Sequence, residues 1–190
     1  MDEDDDALIK SYEDGDEGAL ARLIERHMPA VHAFAARMTG SSDEAADIAQ
    51  ETFFRAWKNL ARFKKGMKFK TWVFAIARNL SVDRLRRKKP VLFGAFEEDR
   101  EGDSFEHSIA DADIETAEAA FDRALAADGL SRALATLTPA YREVLILHYQ
   151  EGLTLAEIAE SLRVPLNTVK SRNRRALIAL KEALHPKDGV

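Results

Sequence analysis

The chain has 190 residues, a net charge of −5 and no cysteine, so it holds one domain or two small ones and neither disulfides nor thiolate metal sites. Hydrophobic residues make up 46% and charged residues 32%, which excludes disorder throughout. The opening "MDEDDDALIK" is acidic where a secretory signal would be basic and then apolar, and no apolar run approaches the roughly 18 residues of a membrane span; a cytoplasmic protein without membrane insertion is expected.

Ala7–Met38 spaces Leu20, Leu23, Ile24, Met28, Val31 and Phe34 by three and four, which predicts a long helix with one apolar stripe. "TGSSDEA" then turns the chain, with Ser42 and Asp43 as plausible caps of a helix over about Glu44–Leu60. Another helix is predicted over about Lys70–Lys88, and Pro90 stops it. Residues 90–128 are rich in Asp, Glu and Ala and have no sustained period. They read as a linker with room for a helix around Glu115–Leu125. "LTPAYREVLILHYQEG" opens a second domain, its helix starting at Thr138 or Pro139 and ending near Gly152. There is no repeat and no strand-like alternation.

Charge is organised in blocks: net −8 over residues 1–45, +10 over 46–90, −10 over 91–130 and +3 over 131–190. Any single run reads as a solvated face. Alternation in register with the predicted domains points further, to two basic modules that favour a polyanion and an acidic connector that repels one.

The C-terminal block carries the clearest local grammar. Thr154 and Glu157 form a capping box ahead of Leu155, Ile158, Ala159 and Leu162, which share one face of a two-turn helix. Pro165 in "RVPLN" cannot continue that helix but can begin the next. At about 100° per residue, Val169, Ala176 and Leu180 point inward in this second helix. Asn167, Thr168, Ser171, Arg174 and Arg175 fall opposite, with Lys170 and Arg172 on the flanks. Two short helices, a tight turn and an Arg/Ser/Thr/Asn outer face make a helix-turn-helix suited to a major groove; the bland alternative is an amphipathic hairpin. Asn173 falls on the inward side about 40° from Val169, either at the rim or bonded to a neighbour. The expected fold is therefore all-α: an N-terminal helical bundle (1–90), an acidic linker (91–128) and a C-terminal helix-turn-helix domain (129–186).

In the N-terminal block, Phe53, Phe54, Trp57, Phe63, Phe69, Trp72 and Phe74 crowd into 22 residues. Most are expected in the core. "FKKGMKF", however, is a lysine-rich loop with an aromatic at each end, a combination that suits unstacked bases and their backbone. The following helix ends in "RLRRKK", which suits phosphates.

With "DIAQETFFRAW", "FKTWVFAIARNLSVDRLRR" and "LTLAEIAESLRVPLNTVKSR" in this order, the chain resembles the bacterial RNA polymerase sigma factors of the extracytoplasmic-function (ECF) group, over about Ala7–Leu184. The resemblance implies a two-domain promoter-specificity factor. Asp47, Gln50, Glu51, Phe54 and Arg55 would grip the clamp helices of the largest core polymerase subunit. Phe63, Lys64, Lys65, Phe69 and Asn79 would hold a base flipped from the downstream promoter element, with Arg84, Arg86 and Arg87 on the nearby backbone. Thr168, Lys170, Ser171, Arg172, Arg174 and Arg175 would meet the upstream element. The acidic linker would lie in the polymerase's RNA path, and an anti-sigma factor is the implied regulator.

The resemblance implies no catalytic residue, metal, cofactor or small-molecule substrate. Four positions depart from the family's pattern, among them Arg174, where an aromatic or other side chain often stands. Arg163 stands where glycine is usual in the turn, Asn173 where an apolar residue is usual, and His148 where an arginine commonly touches backbone. A helix-turn-helix regulator acting without polymerase is the nearest rival; it would need a dimer or ligand module that residues 46–90 do not supply. An enzyme is disfavoured: there is no phosphate loop or HExxH, and the five histidines lack ligand spacing.

Overall fold

Asp4 starts the first helix by accepting a hydrogen bond from the Ala7 amide at 2.7 Å, and Asp5 and Asp6 follow in its first turn. The acidic opening thus sits where a helix dipole favours negative charge. This is the N-terminus of the computed structural model's first element, and the structure describes residues 3–63, 66–88 and 130–184. The predicted linker and the helix around Glu115–Leu125 lie outside the described residues.

The described elements are helical, as expected. Helix α1 spans Asp5–Glu13 and α2 Glu17–Thr39, where one helix was predicted over Ala7–Met38. Gly15 at φ +105 breaks the run, and Asp16 restarts it by accepting from the Gly18 amide at 2.9 Å. Helix α3 spans Ser42–Lys58 and is capped by Ser41, whose hydroxyl accepts from the Glu44 amide at 3.4 Å. The predicted caps Ser42 and Asp43 belong to its first turn instead. A short 3-10 turn covers Leu60–Arg62, and α4 covers Phe69–Lys88.

Further on, α5 (Leu130–Thr136) was not predicted; its seven residues are too few to show a period. Thr138 caps α6 (Pro139–Leu145), with Pro139 in its first turn, and the helix continues through a π turn over Ile146–Gln150. Helices α7 (Leu155–Leu162) and α8 (Leu166–Leu184) complete the described chain.

The chain divides into two compact units, Met1–Asp83 and Arg84–Val190. In the first, Leu8, Leu23, Phe34, Met38 and Phe74 are almost fully buried, and Phe34 meets Phe74 edge-on at 5.5 Å. In the second, Leu134, Leu145, Ile146, Leu147, Ile158 and Leu177 form the core. Arg142 donates from Nε to the Leu134 carbonyl at 2.8 Å, and from Nη2 to those of Ala135 and Leu137 at 2.9 and 3.1 Å. One guanidinium so ties together three carbonyls at the end of α5 and just past it, and burial pulls its pKa below the ordinary arginine value.

Candidate nucleic-acid interface

The capping box forms as the sequence indicates. Thr154 Oγ1 accepts from the Glu157 amide at 3.2 Å, and Glu157 Oε2 accepts from the Thr154 amide at 2.8 Å. Arg163 ends α7 with φ 56 and ψ 43, the left-handed conformation expected of the position where glycine is usual. Pro165 directly precedes α8, and its carbonyl accepts from the Val169 amide at 3.3 Å. Val169, Ala176 and Leu180 are completely buried. Asn167 and Lys170 are exposed, while Thr168, Ser171, Arg174 and Arg175 are half-buried. These side chains form the outer surface that the helical wheel assigns to them.

Arg172 is a correction. It is 5% exposed, with Nη1 4.0 Å from Oε1 of the fully buried Glu143, so it is not available to a groove. It lies only about 60° around the helix from Val169, and Glu143 draws the long side chain inward. Asn173 is buried as well, and its amide nitrogen donates to the Tyr149 hydroxyl at 3.4 Å. It bonds a neighbour, which decides between the two alternatives. His148 Nδ1 lies 2.7 Å from the Leu153 carbonyl; a carbonyl only accepts, so Nδ1 carries the proton. That bond fixes the turn leading into α7.

In the first unit, Phe53 and Phe74 are buried, as expected for most of the aromatics. Phe69 is the second correction: at 2% exposure it belongs to the core and offers no face to a base. Its ring is surrounded by those of His27, Phe63 and Trp72 at 5.5, 6.0 and 5.9 Å. Phe63 remains half-buried, 5.2 Å from the ring of Trp72. Trp72 in turn lines a pocket of about 320 Å³ with Arg55, Asn59, Ile76 and Asn79. An aromatic ring, two amides and a guanidinium around one hollow can stack on a planar base and hydrogen-bond its edge. Lys64 and Lys65 lie outside the described residues. Arg86 and Arg87 are exposed on the last turn of α4, and Arg84 is half-buried one turn earlier.

The outer side of α3 presents Asp47, Gln50 and Phe54, with half-buried Glu51 accepting from Arg55 Nε at 2.6 Å. Phe54 is 47% exposed and Trp57 48%, their rings 6.1 Å apart, and Lys58 Nζ stands 4.9 Å over the Phe54 ring. Trp57 also donates to the Tyr12 hydroxyl at 3.0 Å, tying α1 to α3. Sequence reasoning missed Trp57 as a surface residue; its spacing of three from Phe54, on the side of Asp47 and Gln50, was the available signal. Exposed apolar rings beside charged side chains have the composition found at many protein–protein interfaces. Among the described residues no group of acidic or histidine side chains could hold a metal, and no helix is long and apolar enough to cross a membrane.

Comparison with known proteins adds to this geometry. Residues 23–91 match the family model of sigma-70 region 2, and residues 127–180 that of sigma-70 region 4. The chain is 35% identical to the ECF RNA polymerase sigma factor SigW of Bacillus subtilis, over 93% of this chain and 94% of that one. It is 31% identical to the RNA polymerase sigma-H factor of Pseudomonas aeruginosa, over 97% and 95%. Its fold is similar to the sigma factor RpoE solved with the anti-sigma factor NepR from Bartonella quintana: TM-score 0.61, 24% identity, covering 89% of this chain and 98% of that one.

Proposed function

Because the chain belongs to the ECF group of the sigma-70 family of RNA polymerase sigma factors, which direct the polymerase to promoters, we propose a division of labour between its helical units. The observation that carries it is the order of surfaces along one chain: an exposed aromatic face on α3, a base-sized pocket beside it, and a helix-turn-helix in the second unit. Residues 1–90 bind core polymerase and open the downstream element, 129–186 read the upstream element, and the acidic 91–128 segment occupies the RNA path. Asp47, Gln50, Glu51, Phe54 and Arg55, joined by Trp57, form the face for the clamp helices. The pocket of Trp72 and Asn79, with Phe63 against Trp72, receives an unpaired base, and Lys64 and Lys65 attract its backbone by charge. Arg84, Arg86 and Arg87 hold the backbone by charge. Thr168, Lys170, Ser171, Arg174 and Arg175 dock in the major groove.

In this reading the protein is a non-catalytic initiation factor working in the cytoplasm, where its polymerase is. An anti-sigma factor of the kind seen with the Bartonella relative holds it inactive by covering these surfaces. The deciding experiment combines purified protein, core polymerase and a randomised promoter library. Run-off transcripts that need both proteins and share two sequence elements support the reading. Tight sequence-specific binding to duplex without polymerase, with no core-dependent transcription, overturns it in favour of a regulator that acts alone.

A further inference from the structure

The N-terminal turn of α1 reaches under the loop that precedes α4. Asp5 Oδ2 lies 2.7 Å from His27 Nε2, and Asp5 Oδ1 accepts from Arg26 at 3.0 Å. A carboxylate only accepts, so Nε2 carries the shared proton and points the histidine ring by its bond to α1. His27 is 7% exposed, and its ring lies 5.5 Å from that of Phe69. Phe69 packs on both Phe63 and Trp72, and those two rings stand against each other. A continuous set of packed groups thus runs from Asp5 to the wall of the pocket that Trp72 and Asn79 share.

A second hollow, of about 480 Å³, opens beside this line. Asp4 and Asp6 of α1 border it together with Lys68 and Lys70 of the loop and α4. A polar seam therefore borders the loop in the first unit, and the part-buried Asp5–His27 bond belongs to it. A directional hydrogen bond on a nearly buried ring fixes orientation more sharply than an apolar contact, because tilting the ring leaves its donor without the acceptor.

We propose that Asp5 and His27 are positioning residues for the base pocket. They hold Phe69, and Phe69 sets the angle at which Phe63 and Trp72 present themselves to an unpaired base. Neither residue touches the base or the polymerase face on α3.

Two readouts separate this from a role in stability alone, and only one of them rests on the function proposed above. The chain has two tryptophans, so in a Trp57→Phe background, with excitation selective for indole, Trp72 is the sole tryptophan emitter of the free protein. Asp5→Ala and His27→Gln are expected to shift its emission and increase its quenching by iodide at least twofold, at a temperature where far-ultraviolet dichroism shows full helix. Asp5→Asn keeps an acceptor for His27 and is expected to restore most of the parent signal. In the wild-type background, permanganate reactivity of downstream-element thymines in complexes with core polymerase is expected to fall about tenfold for Asp5→Ala and His27→Gln, with core affinity within twofold. Unchanged Trp72 emission and quenching in folded Asp5→Ala and His27→Gln would overturn the proposal and leave the pair a simple clasp between α1 and α2. If emission shifts but no promoter is opened by any form, including wild type, the fault lies with the pocket's assignment to DNA.

Discussion

Arg172 and Glu143 meet inside the second unit at 4.0 Å, the carboxylate wholly buried and the guanidinium nearly so. A cationic residue on the recognition helix thus serves the interior of its own domain, joining α8 to α6. Breaking a buried pair from one side leaves a charge in a low-dielectric site. Arg172→Ala is therefore expected to destabilise the second unit by about 3–5 kcal/mol, read as a lower urea midpoint. Arg172→Met with Glu143→Leu is expected to recover most of that stability, since an apolar pair of similar volume removes both charges. A promoter library should return the wild-type base profile for the double variant; a changed profile would return Arg172 to the DNA surface.

Arg174 and Arg175 carry the contrasting expectation. Each sits on the outer side of α8, half-exposed, and a bidentate contact to a guanine edge is worth about 1–3 kcal/mol. Alanine at either position should weaken upstream-element binding by that amount and leave core affinity unchanged in a pull-down. Equal loss of both would place these arginines in the fold.

Arg163 holds a left-handed backbone with φ 56, a conformation that costs a non-glycine residue about 1–2 kcal/mol. Glycine adopts it freely but loses more entropy on folding, about 0.5–1 kcal/mol. Arg163→Gly is thus expected to stabilise the second unit by up to about 1 kcal/mol, and β-branched Arg163→Val to destabilise it. Thermal unfolding followed by dichroism distinguishes the two signs.

Asp16 supplies a pH test. A hydrogen bond from Arg22 at 3.0 Å holds its carboxyl below the ordinary carboxylate value of 3.8. The folded state therefore takes up this proton less readily than the unfolded chain. The resulting stabilisation is complete well above 3.8 and disappears as pH falls through the lower, folded value. Asp16→Asn, which keeps a capping oxygen, should unfold at lower urea than wild type at pH 6. The difference should close as the buffer is taken towards pH 2. A gap that persists in acid would mean that the cap's shape, rather than its charge, is what matters.

The α8 surface was largely legible in the sequence because a helical wheel is a purely local device: Val169, Ala176 and Leu180 go in, and Lys170 and Arg175 stay out. Arg172 was not legible because its position is decided by Glu143, twenty-nine residues earlier. Phe69 failed in the same way; nothing local tells a ring that packs edge-on or tilted against His27 and Trp72 from one that faces a base. The α1–α2 break was signalled by Gly15 and Asp16, but the single-helix expectation rested on apolar spacing from Leu20 onward and ran across it. Trp57 shows the limit from the other side, since an aromatic is a core residue by default until its outward neighbours are seen.

The π turn at Ile146–Gln150 makes chain length itself part of the design. The Glu151 amide reaches back five residues to the Ile146 carbonyl at 3.1 Å, which accommodates one residue more than a regular helix would in that span. The surplus residue lets His148 face the Leu153 carbonyl while Tyr149 faces Asn173. Loss of a residue from this stretch would close the wide turn and take away the placement of His148 and Tyr149 against those two partners. The number of residues between Ile146 and Gln150 is then as much a part of the arrangement as their identities.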